Sequence, residues 1–265
     1  LKTKKTADND QSRIVAVVSD VHFDLHHEPT WRAFRKWHAD VRPWKTVFDG
    51  DMVDFGMLSR YVQAPDAQVH AIPQIKVCVE EINPVAEETQ AGAYFLPGNH
   101  SERWEKYVFG QAPHVLRDAL GLSLEDQFRA HGLSEKVNWV KESNEFLGVR
   151  IGQFLIRHGH KQQGKFGGGK YLAGNRLMKN MARSEVFGHH HVGQMHCISG
   201  GGRTAIAIAN PCMVSDQDYC VDPSWQRGFT ILELDAPDYK RATPHLIIME
   251  KGRFSWGGQT YDGNK

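Results

Sequence analysis

Cysteine is scarce in this chain: four residues, Cys78, Cys197, Cys212 and Cys220, with no Cys-x-x-Cys pair among 265 positions. No helix-start context activates any of them, so thiol chemistry is set aside and the reading is a reduced, cytoplasmic protein. Long apolar runs are absent too. None approaches the roughly 18 residues of a membrane span. An excess of either charge is also missing. Lys and Arg number 32 against 31 Asp and Glu, a formal net charge of +1. That balance gives no footprint for tight, nonspecific nucleic-acid binding, although a local basic groove stays open. There is no internal repeat and no low-complexity linker. The first stretch is polar and Lys-rich and lacks an apolar segment, so it does not read as a signal peptide. Residues 1–12 are expected to be a disordered tail and 13–265 one domain.

Histidine is what the chain has in number. Seven of its fifteen, His22, His100, His158, His160, His189, His190 and His191, fall in a few short segments. These segments are Asp20-Val21-His22, Gly50-Asp51-Met52-Val53-Asp54, Gly98-Asn99-His100, His158-Gly159-His160 and Gly188-His189-His190-His191. Each follows, or nearly follows, an apolar run that reads as a buried strand, such as Ile14 to Ser19, Thr46 to Phe48 and Ala93 to Leu96. Strand ends feeding loops are where an α/β protein gathers its chemistry. Helices are expected between Pro73 and Pro84, in pieces over Trp104 to Ala130, and over Tyr171 to Arg183. Strands are expected at Val137 to Val140 and along Leu147 to Arg157. The last third is strand-rich, with a hairpin at Gly200-Gly201-Gly202 and strands at Phe229 to Leu234 and His245 to Glu250. Arg60 to Val69 and Ser134 to Gly148 read as insertions. The pattern predicts an α/β fold of two packed sheets with helices outside.

Singly, each segment has an ordinary explanation. Asp20 and Asp51 would serve as helix caps, Asn99 as a turn residue, and Arg103 as half of a surface ion pair. Together, in order, they resemble the signature blocks of calcineurin-like metallophosphoesterases: Asp-x-His, Gly-Asp-x-x-Asp, Gly-Asn-His, a His-Gly block and Gly-His-x-His. A weaker impression links the chain to members carried by phages and prophages. The resemblance implies a four-layer αββα sandwich and two divalent metal ions. One ion would take Asp20, His22, Asp51 and His191. The other would take Asp51, Asn99, His158 and His189, with Asp51 bridging. His100 would be the general acid and Asp54 the carboxylate that orients it. Arg103 and Asn99 would face the substrate phosphate. Manganese is the favoured ion, with iron, zinc, nickel and magnesium as alternatives.

The chain departs from the family after His100, where an Asp or Glu is usual and Ser101 stands, followed by Glu102. That puts the support of this loop in question, not the ligands. Alternation along an extended segment would point His189 and His191 together and turn His190 away, and would leave His160 as pocket wall beside His158. Gly164 to Tyr171 nearly spells a phosphate-binding loop, but ends on Tyr instead of Ser or Thr and lacks its own buried strand. It reads as a Gly-rich loop in which Lys161, Lys165 and Lys170 are candidates to hold substrate. Trp31, Trp37, Trp44 and Trp104 are expected in the core or at its rim, Phe23 or Trp104 beside the pocket, and Trp225 is given no role. The implied function is hydrolysis of a phosphate ester, a phosphodiesterase or phosphatase working by in-line attack of a metal-bound hydroxide. The rivals are a nuclease on DNA or RNA and a non-catalytic scaffold of the same fold. No membrane partner is implied.

Overall fold

The computed structural model describes residues 13–59, 70–111, 121–140, 148–161, 171–179, 183–217 and 224–265. The expected tail, the 60–69 insertion, the Gly-rich segment at 164–170 with Lys165 and Lys170, and Cys220 lie outside them. In chain order the elements are β1 (Arg13–Val18), α1 (Glu28–Val41), β2 (Lys45–Asp49), a 3-10 turn (Gly56–Leu58), α2 (Ala71–Glu88), β3 (Ala93–Leu96), α3 (Ser101–Gln111), α4 (Leu124–Ala130) and β4 (Val137–Trp139). There follow β5 (Val149–Ile151), β6 (Phe154–Arg157), α5 (Leu172–Lys179), β7 (Ser184–Phe187), β8 (Gln194–Gly200) and β9 (Arg203–Ala209). The chain ends with β10 (Arg227–Leu234), β11 (Ala242–Met249), β12 (Arg253–Trp256) and β13 (Gln259–Asp262).

One sheet has the order β11-β10-β1-β2-β3-β4 and the other β5-β6-β7-β9-β8. In the first, β1 through β4 run parallel, β10 is antiparallel to β1, and β11 is antiparallel to β10. In the second, β6, β7 and β9 are parallel between antiparallel edges. Strand β1 is buried on both faces, and its side chains alternate between two cores. Val15 and Val17 meet Ile156, Val186 and Ile208 of the opposite sheet. Ala16 and Val18 meet Phe34 and Trp37 of α1, with Ile75 and Val79 of α2. Beyond the second sheet, Leu172, Ala173 and Leu177 of α5 cover Phe187, Ala205 and Ala207. The layers are therefore helix, sheet, sheet, helix, as expected. A fully buried Phe such as Phe48 or Phe95 contributes about 1.5–3 kcal/mol.

Four local expectations need correction. Helix α2 is not confined between its prolines; it runs through both. Pro84 lies on the exposed side, while Ile75, Cys78, Val79, Ile82, Val85 and Ala86 form a buried stripe that holds the helix together. The described part of the expected Leu147 to Arg157 strand is two strands, Val149–Ile151 and Phe154–Arg157, folded at Gly152, whose φ is +55°. The segment 134–140 is not an insertion, because β4 pairs parallel with β3 as the sheet edge. Phe23 is fully buried against Trp31, 4.9 Å between rings, so it belongs to the core and not to the pocket. The hairpin β12–β13 was not expected. It turns at Gly257-Gly258, both with positive φ, and leans on α1 through Tyr261, whose hydroxyl donates to Asp40 at 2.6 Å.

Candidate metal centre

The five segments meet at the carboxyl ends of parallel strands, Asp20 and His22 after β1, Asp51 and Asp54 after β2, Asn99 and His100 after β3, His158 after β6, and His189 and His191 after β7. The loops after β1 and β2 are zipped together: Asp20 N donates to Gly50 O, His22 N to Asp51 O and Phe23 N to Met52 O, at 2.8–3.1 Å. Across the sheets, Asn210 ties the base of the site. Its Nδ2 donates to Val17 O and Ser19 Oγ, and its Oδ1 accepts from Thr230.

Among the described residues three groups of three donor atoms result, Asp20–His22–His191, Asp51–His158–His189 and His22–Asp54–His100, each with its atoms within 4.8 Å of one another; the first two are the ones considered for cations. Asn99 Oδ1 lies 3.2 Å from His158 Nε2, which places it with the second group. The groups adjoin, for His158 Nε2 is 2.9 Å from Asp51 Oδ2 and 3.9 Å from Asp20 Oδ1. Asp51 Oδ1 is occupied by the backbone N–H of His100 at 2.8 Å, and Asp20 Oδ2 by that of His189 at 2.8 Å. One oxygen of each carboxylate is thus fixed, and the other is turned to the histidines.

Two glycines make this approach possible. A Cβ on Gly98 would stand 2.6 Å from the Asp51 nitrogen and 2.7 Å from its Cγ. A Cβ on Gly50, whose φ is +81°, would stand 2.7 Å from that of His158.

The buried charges of the two groups act on one another. Burial raises the carboxyls of Asp20 and Asp51, but His158 and the other histidines overcome it and hold both well below the usual range. Burial also opposes the charge on His158, yet Asp51 and Asp20 push its pKa up to about 10. His189 is drawn down to about 4 by burial and by the neighbouring His158. Burial likewise lowers His22.

Asp54 does more than the sequence suggested. His100 Nδ1 lies 2.7 Å from the Asp54 backbone O and 3.0 Å from its Oδ1, and the same Oδ1 accepts from His22 Nδ1 at 3.0 Å. The last contact fixes the tautomer of His22 and turns its Nε2 to the pocket. Against the pull of burial, Asp51 and Asp54 raise the pKa of His100. Arg103 is not a surface ion pair. It donates to Asp54 O at 2.9 Å and lies 3.1 Å from His100 Nε2. His190 is exposed, as expected, although the reason given for it was wrong. The segment is bent, not extended; both His189 and His191 have positive φ, 76° and 59°, and each joins one of the two adjoining groups. His160 turns from the ligand groups to Glu102, at 3.0 Å. Trp225, given no role, packs edge-on against His191 at 4.7 Å. Trp104 packs at the core rim, its Nε1 donating to Leu122 O.

No protein-family model matches the chain. It is similar to the Gene 54 protein of Mycobacterium phage L5, 21% identical over 262 residues, which cover 95% of this chain and 99% of that one. This likeness fits the impression of a phage-borne protein. Among solved structures it is similar to Vacuolar Protein Sorting 29 of Cryptosporidium parvum, 13% identical with a TM-score of 0.42, over 91% of this chain and 100% of that one. It is also similar to YfcE, a phosphoesterase from E. coli, 14% identical with a TM-score of 0.39, over 88% and 99%. The architecture rests on the layers and strand order given above.

Proposed function

We propose that the chain hydrolyses phosphate esters with the help of two divalent cations, as a phosphodiesterase or phosphatase on a small or nucleotide-like substrate. The observation that carries this reading is the adjacency of two buried ligand groups with the Asp54–His100 dyad at their edge. The residues suit such ions. Asp20 Oδ1 and His22 Nε2 are buried with no hydrogen-bond partner, a state that costs about 1–3 kcal/mol for each atom unless a ligand meets it. Carboxylate, amide and imidazole donors suit manganese, iron, zinc or nickel better than magnesium, and manganese is the ion we favour. Asp20, His22 and His191 would hold one ion and Asn99, His158 and His189 the other, with Asp51 shared. The ions would supply the charge that activates a water and neutralises the phosphoryl oxygens.

The protein's own part is to place and protonate. A guanidinium only donates hydrogen bonds, so His100 Nε2 accepts from Arg103, and its Nδ1–H points to Asp54. A substrate phosphate offers Arg103 a paired, charge-assisted partner and draws it from the imidazole. Nε2 is then free to take a proton from solvent, which the raised pKa of His100 favours, and to pass it to the leaving oxygen, while Asp54 holds the ring in line. The test is turnover of paired aryl phosphate mono- and diesters, then of nucleotides, by the manganese-loaded protein. Hydrolysis that chelation abolishes and manganese restores is expected. No turnover of any ester with two ions bound would leave the scaffold reading in its place, and binding that weakens steeply with salt would favour a nuclease.

A further inference from the structure

Outside the ligand set, one carboxylate joins the two sheets beside the site. Glu102 stands in the first turn of α3, three residues after Asn99. Its Oε1 accepts from His160 Nε2 at 3.0 Å and from Lys161 Nζ at 2.8 Å. Its Oε2 accepts from Lys106 at 2.9 Å, an i,i+4 pair that is largely exposed on the lysine side and contributes little. The contact with His160 is of another kind, because the His160 side chain is only 8% exposed. Helix α3 follows β3 of the first sheet, and His160 and Lys161 follow β6 of the second. A single side chain therefore brackets the loop of Asn99 and His100 against the loop of His158. His160 is two residues from His158, their rings 5.3 Å apart. The loop is also held by Arg176, which donates to Gly159 O at 3.3 Å, and by His158 itself, whose Nδ1 lies 2.9 Å from Asp49 O. The carboxylate that the departure at Ser101 seemed to remove is thus supplied one residue later.

We propose that Glu102 is a positioning residue: by holding His160 and Lys161 it fixes the His158 loop against the Asn99 loop and sets the shape of the Asp51–His158–His189 cation site. This rests on the proposed reading that the group holds a cation. It predicts a loss confined to one of two sites, which a general weakening of α3 would not produce.

The experiment is titration of the full chain with cobalt(II), followed by visible absorption and calorimetry at fixed pH. His189→Ala identifies the step that belongs to the second site. Glu102→Ala is expected to weaken that step about 10–100-fold, the usual cost of losing an outer support of a metal ligand, and to leave the other step unchanged. Glu102→Gln keeps the length and an acceptor oxygen, so it should bind cobalt nearly as the native chain does. Glu102→Asp is one methylene short and should resemble the alanine variant. His160→Ala should repeat the loss, and the double variant with Glu102→Ala should be no worse than either alone. The proposal is overturned if Glu102→Ala leaves both steps intact, if both fall together, if Glu102→Gln loses as much as Glu102→Ala, or if the two losses add. A native chain that binds two ions alongside an unaffected Glu102→Ala defeats the positioning role alone. A native chain that binds none defeats the cation reading and this inference with it.

Discussion

Cation uptake by this site should release a proton, and His158 is its source. In the cation-free protein Asp51, at 2.9 Å, and Asp20, at 3.9 Å, overcome the cost of burial and raise the His158 pKa to about 10. A metal ligand must be a neutral imidazole, so at pH 7 the proton has to leave first. The gap of about three pH units is worth roughly 4 kcal/mol, or about a thousandfold in apparent affinity. Affinity at the His158 site should therefore rise about tenfold per pH unit from pH 7 to 9. Stability of the cation-free protein should follow the opposite course. The folded pKa lies above the ordinary value of 6.5, so this contribution is complete below pH 6.5 and fades as pH rises through about 10. The cation-loaded protein has already lost the proton and should show no such fall. Calorimetry of manganese binding at pH 7.5, in buffers of different ionisation enthalpy, counts the protons directly. About one per chain is expected from His158. An affinity independent of pH, with no proton released, would mean that His158 is neutral without cations and would refute the electrostatic argument.

Other substitutions divide the roles of the site. His100→Asn should keep both ions and lose little rate on an aryl ester, but about a hundredfold on an alkyl ester that needs a proton to depart, measured as kcat across graded leaving groups. Asp54→Asn should share that pattern and, because Asp54 also orients His22, weaken one ion about tenfold by metal titration. His190→Ala, at an exposed position, should keep metal content and most activity, whereas His189→Ala and His191→Ala lose both. Gly98→Ala would press a methyl group on Asp51, so about 1–3 kcal/mol of stability and much of the cation uptake should go, read by thermal unfolding and elemental analysis.

The layers and the gathering of the candidate donors at one end of the strands were legible in the sequence because both depend on patterns that chemistry keeps local. A short β-branched run such as Val15 to Val18 has to be buried on both faces, and a loop of hard donors after it has to be satisfied. What the sequence did not show depends on partners far along the chain. The second bond of Asp54 reaches back 32 residues to His22, and Glu102 reaches 58 residues forward to His160. Asn210, which ties β1 to the second sheet, is a lone polar residue after an apolar strand and carries no motif. Only the hairpin of β12 and β13 had a local signal that was passed over, the Gly257-Gly258 pair.

The failed argument about His189 and His191 points to how such a site is made. Alternation would have placed two ligands on one face at no conformational cost. The backbone does something more expensive: Asp20, His22, Asp51, His189 and His191 all sit in the left-handed region, with φ from 49° to 76°. Each such residue costs about 1–2 kcal/mol relative to the right-handed region, so five of the seven expected ligands are held against their own preference. Bonds of the kind seen from His189 N to Asp20 and from His22 N to Asp51 O hold them there. Asp24 and Phe55, beside them in the same loops, share this conformation, so the strain is spread over the turns that aim the expected donors inward. A motif records which donors are present. The left-handed backbone, set by neighbours from five strand ends, decides that they face one another.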